Sequence, residues 1–132
     1  MAPAPRGQRE VVMESNLMLQ SAAGLFVVAA LGGLVMAAIR LFGKGNPPAW
    51  LALAHGLLAG AGLTLLVFAA LTTSIPQMAM FALLLFLVAA AGGIVMNLGY
   101  QWKQRPLPVP LMVGHALLAI VAFALLLGAS IG

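Results

Sequence analysis

The chain of 132 residues contains only two histidines, His55 and His115, and they stand 60 residues apart. It has no cysteine and no aspartate, and its two glutamates lie near the start at Glu10 and Glu14. Disulfides, thiolate metal sites, iron–sulfur clusters and cysteine nucleophiles are therefore excluded. No carboxylate pair, Ser/His/Asp set or glycine-rich phosphate loop is present. The chemistry left to the chain is that of imidazole: metal ligation, proton transfer or hydrogen bonding.

The histidines belong to a larger pattern. Shifted by 60 residues, Leu25–Thr72 lies on Leu85–Gly132 without a gap, with 18 identities in 48 positions. Composition alone would give about five. Leu-Phe-x-Val-Ala-Ala recurs at Leu25 and Leu85, and Gly-Gly-x-Val-Met at Gly32 and Gly92. Pro48 matches Pro108, Leu51 matches Leu111, His55 matches His115, and Leu57-Leu58-Ala59 matches Leu117-Leu118-Ala119. We read this as a duplicated helical hairpin.

The elements that position the pair follow from composition. Hydrophobic residues make up 64% of the chain and charged residues 6%, against about a quarter charged in soluble domains. Such a chain cannot face water; its medium is a bilayer, and no polar stretch is long enough for an extramembrane catalytic domain. Four uncharged apolar blocks, Leu17–Ile39, Trp50–Leu71, Met78–Leu98 and Val109–Ile131, are each long enough to span. In lipid they must be helices. The expected fold is an all-α bundle of four transmembrane helices made of two hairpins in parallel orientation. A polar tail occupies residues 1–16, the first hairpin 17–72 and the second 73–132. A signal peptide is not expected, because the first block is longer than a signal core.

Arg40 and Lys44 fall in the first loop, Lys103 and Arg105 in the third, and Thr72–Gln77 carries no charge. Four cations against Arg6 and Arg9 of the tail place the two basic loops in the cytoplasm and both termini outside. The expected location is a bacterial inner membrane. Trp50, Tyr100 and Trp102 cluster near the same boundary, as aromatic belt residues do. The sequence pI of about 10.9 thus reflects topology, and nucleic acid is not an expected partner.

Two hairpins of equal orientation imply a pseudo-two-fold axis along the membrane normal. Each histidine follows its proline by seven residues, roughly 10 Å into the helix at 1.5 Å per residue. Gly33 and His55 are equidistant from the first turn, as are Gly93 and His115 from the third. Gly32, Gly33, Gly92 and Gly93 should therefore lie beside the imidazoles. Ala59 and Ala119 share the histidine faces by helical spacing. Two imidazoles facing each other between small walls describe a slot for a flat macrocycle. Axial ligation of one haem b by both histidines fits it. Arg40, Lys44, Lys103 and Arg105 would meet the propionates at the boundary.

Simpler uses of the same residues stand beside this one. A membrane histidine often serves packing, with Asn97, Thr64 and Gln20 the other notable polar groups in the spans. Gly-Gly and the Gly56–Gly60 spacing are common close-packing devices. Met36 and Met96 could join the imidazoles around copper. With these four spans, His55, His115 and their level glycines, the chain resembles the small four-helix bis-histidine b-type cytochromes of bacterial membranes. Two-haem members of that group use four histidines; two here imply at most one haem. The resemblance implies electron transfer with quinol or a redox partner subunit, by a carrier or subunit more than a stand-alone enzyme. Homo-oligomers are compatible with it. The alternatives are a non-catalytic membrane subunit or scaffold, and a small-solute or metal transporter. The absence of a carboxylate in the first span separates the chain from small four-helix drug exporters.

Overall fold

The computed structural model describes residues 3–131; Met1 and Ala2 of the tail, and Gly132 at the end of the repeat, lie outside them. Four helices account for the fold: α1 (Arg6–Phe42), α2 (Ala49–Thr72), α3 (Gln77–Met96) and α4 (Val109–Ile131). α3 continues into a π-helical turn, Asn97–Gln101. All four are long and apolar enough to cross a membrane, and the protein is an all-α four-helix bundle. α1 packs chiefly on α2 and α3 on α4, the pairing that short connections dictate.

Proline starts every helix. Pro5, Pro48 and Pro76 stand at the N-caps with φ between −53° and −58°. Their carbonyls accept the first helical bonds, from Arg9, Ala52 and Met80, and Pro108 accepts from Met112 in the same way. No side-chain cap is used at α1, α2 or α3. The fixed proline φ sets the chain's direction before the helix, and the missing N–H is one the first turn could not pair.

α1 begins eleven residues before its apolar block. The residues of the tail from Arg6 onward are mostly good helix formers, with an exposed Arg6–Glu10 pair at i,i+4 (3.8 Å). Its 37 residues span about 55 Å at 1.5 Å each, well beyond a hydrocarbon core of about 30 Å. One end of α1 therefore stands clear of the apolar slab.

The packed core occupies only one half of the bundle, the half away from the basic loops. There Leu19, Leu66 and Leu126 are fully buried, with Ala22, Ala79, Ala82 and Ala122 between them. Phe26 and Phe86, equivalent in the repeat, stack across the hairpin interface with ring centres 3.9 Å apart and planes 4° from parallel. Gly62 makes room for Phe26, since a Cβ there would stand 3.2 Å from its ring. Small residues at helix contacts are what membrane packing requires, because lipid supplies no hydrophobic drive between helices. Ala29 and Ala89 are the last buried residues of α1 and α3 toward the loops; α2 and α4 have none in their loop-side halves. Burial resumes only at Pro47, Gln101 and Leu107, in the cap formed by the loops and the π-turn.

Candidate cofactor site

The two histidines sit at the level where the dry core ends. His55 Nδ1 lies 2.7 Å from the Ala29 carbonyl oxygen, and His115 Nδ1 lies 2.8 Å from that of Ala89. A carbonyl only accepts, so Nδ1 carries the proton and donates in both rings. Each Nε2 keeps its lone pair. Histidines that bind metal are held in this manner, with the second nitrogen donating to a carbonyl or carboxylate. Both acceptors belong to the repeated Leu-Phe-x-Val-Ala-Ala segment, so the duplication carries the orienting group as well as the imidazole.

The glycines lie where the depth argument puts them. A Cβ on Gly33 would meet His55 Cε1 at 3.1 Å, and one on Gly93 would meet His115 Cε1 at 3.4 Å. Gly32 stands 3.8 Å from the Cβ of His55 by the same measure, and Gly92 3.9 Å from Nδ1 of His115. Each Gly-Gly pair is therefore the seat of the imidazole in its own hairpin. Ala59 packs against the edge of the core, and Ala119 is half-buried.

Across the hairpin interface the imidazole centres are 6.2 Å apart, with planes at 69°. A metal bonded to one nitrogen of each ring at about 2 Å, the usual histidine distance, would require ring centres roughly 6 Å apart. Among the described residues no group of three or more His, Cys, Asp or Glu is assembled. A metal here would thus have two protein ligands at most from this set. The separation and the tautomer are compatible with two imidazoles sharing one metal, and the helices bury no side chain beyond Ala29 and Ala89 toward the loops.

Other sequence candidates lie elsewhere. Thr64 bonds to the Gly60 carbonyl of its own helix at 2.8 Å, and Gln20 reaches the Ser130 carbonyl at 3.3 Å near the far end of the bundle. Asn97 is exposed and its carbonyl caps the π-turn. Arg40 Nε donates to the Leu107 carbonyl at 2.9 Å, so it ties the hairpins together. Lys44, Lys103 and Arg105 are exposed at the same end.

Two residues of that cap were not among the sequence candidates. Asn46 donates to the Arg105 carbonyl at 2.7 Å and accepts from the Leu107 N–H at 2.9 Å. Gln101 donates to the Pro47 carbonyl at 2.7 Å, and its buried Oε1 has no partner. Neither residue repeats: Pro106 and Leu41 occupy the equivalent positions. A search by self-similarity therefore passes over them.

Compared with protein-family models, curated proteins and solved structures, the chain matches none.

Proposed function

We propose that the chain is an integral membrane electron-transfer protein that holds one haem b between His55 and His115 and exchanges electrons with a quinol or a redox partner subunit. The observation that carries this reading is the pair of imidazoles 6.2 Å apart, each with its proton fixed on Nδ1 by a backbone carbonyl. The haem, when bound, supplies one-electron chemistry; two neutral imidazoles favour a low-spin iron suited to it. The Ala29 and Ala89 carbonyls hold the rings in the tautomer that leaves Nε2 free. Gly32, Gly33, Gly92 and Gly93 seat the rings, and Ala59 and Ala119 keep the neighbouring walls low. The Phe26–Phe86 stack closes the interface on the far side and excludes water from that half. Arg40, Lys44, Lys103 and Arg105 supply positive charge at the loop end for two propionates. The positive-inside bias of these loops supports a bacterial inner membrane with the loops cytoplasmic.

The protein purified in mild detergent, reconstituted with haem and reduced with dithionite, is expected to show a sharp low-spin b-type spectrum. His55→Ala and His115→Ala should each abolish it while the helical circular dichroism remains. The same Nδ1 bonds also satisfy histidines used only to pack a non-catalytic subunit. A folded wild-type protein that stays colourless after haem addition would discard the first reading and leave the second standing.

A further inference from the structure

α1 reaches past the bundle it belongs to. Gln20 bonds to the Ser130 carbonyl in the last turn of α4, so the residues before it run beyond the end of that helix. Arg6 stands 14 residues further on, about 21 Å at 1.5 Å per residue. Leu17 is the repeat equivalent of Gln77, where α3 begins, so the second hairpin has no counterpart of this overhang. The bundle buries Ser15 but nothing before it; residues 3–14 are all exposed. Val11, Val12 and Met13 therefore project from the bundle without cover.

An exposed face runs from the overhang down into the span. Met13, Leu17, Gln20, Gly24, Val27 and Leu31 follow one another at alternating spacings of four and three, and each is exposed. They lie across the helix from buried Leu19, Ala22 and Phe26. A period of about 3.5 residues is that of the seam along which two parallel helices pack. With Leu17 at a and Met13 at d, exposed Arg9 falls at g and exposed Glu14 at e. Those are the positions whose charges meet across such a seam.

We propose that a second copy of this chain covers the overhang, the two α1 helices packing in parallel along this seam. Copies inserted alike in one membrane are related by an axis along its normal, which makes the pair of helices parallel. Arg9 of each copy then faces Glu14 of the other, twice by symmetry. Glu10 also falls on the seam, and Arg6, 3.8 Å away in the same chain, offsets its charge. Gln20 supplies an amide for bonding between copies, and Gly24 lets the backbones approach. Lipid covers Leu17 to Leu31 equally well, but not the overhang, which stands outside the apolar slab. A partner bearing one sign of charge would be ill matched to Arg6 and Arg9 beside Glu10 and Glu14; the chain's own copy matches both signs. Neither histidine takes part.

The chain has no cysteine, so single cysteines placed along the helix test this directly. In native membranes oxidised with copper phenanthroline, Met13→Cys and Leu17→Cys should run as disulfide-linked dimers on non-reducing gels. Val11→Cys, also in the overhang but turned away from the seam, should stay monomeric. In the Met13→Cys background, Arg9→Glu should lower the dimer yield severalfold, and adding Glu14→Arg should restore it. Residues 9, 11, 13 and 14 are exposed and outside the bundle, so these changes leave its fold intact. Dimers as abundant from Val11→Cys as from Met13→Cys, or from neither, would mean that lipid or another subunit covers this face and would overturn the proposal. A yield unmoved by Arg9→Glu, or not restored by the charge reversal, would overturn the Arg9–Glu14 pairing that sets the register.

Discussion

Gly33 gives His55 less room than Gly93 gives His115, and this sets a graded prediction at the scale of one methyl group. In Gly33→Ala the new Cβ would stand 3.1 Å from Cε1, so the ring must turn. Displacing a side chain about 30° from its rotamer costs roughly 1 kcal/mol, about fivefold in an affinity that depends on that ring. In Gly93→Ala the new contact is 3.4 Å, which the structure tolerates. Haem bound per protein, measured at limiting haem, should fall clearly in Gly33→Ala and much less in Gly93→Ala. Equal losses would mean that the glycines do not act by seating the rings.

Among the elements, the loops do more than connect. Asn46 in the first loop bonds twice to the third, Arg40 once, and Gln101 of the π-turn bonds back to Pro47. These bonds join the hairpins at the end where the helices bury nothing, so the cap holds what the core does not. Asn46→Ala removes two bonds and leaves the N–H of buried Leu107 without its acceptor. The expected destabilisation is about 1–3 kcal/mol, read as a lower unfolding midpoint in detergent. Asn46→Asp keeps the acceptor for Leu107 and should recover part of it. An Asn46→Ala protein as stable as the wild type would show that the cap is incidental. The π-turn belongs to the second hairpin alone, since the matching residues of the first lie in regular α1. It is one of the places where two related sequences took different structures.

For the whole molecule, the division into a packed far half and an unpacked loop-side half ties function to orientation. The proposed topology puts the histidine layer nearer the cytoplasm. Because the chain has no cysteine, single reporters can be introduced without background. Ser74→Cys, between α2 and α3, should react with a membrane-impermeant maleimide in intact spheroplasts. Lys44→Cys should react only after the membrane is opened. The reverse pattern would show that Arg6 and Arg9 of the tail outvote the loops.

Sequence alone determined the medium, the number of spans and the depth of the histidines. Sparse charge leaves only lipid as solvent, backbone pairing in lipid leaves only helices, and helical rise converts the seven residues from Pro48 to His55 into a depth. Gly33 and Gly93 could be placed beside the rings because a hairpin's two arms share one register. Tertiary structure alone decided what self-similarity hides. The carbonyls of Ala29 and Ala89 accept from the imidazoles through backbone atoms, to which residue type gives little clue. Asn46 and Gln101 became structural where the repeat breaks, in loops whose paths follow from how the hairpins meet. The start of α1 at Arg6 exceeded the apolar block because hydropathy marks where lipid ends, not where a helix does.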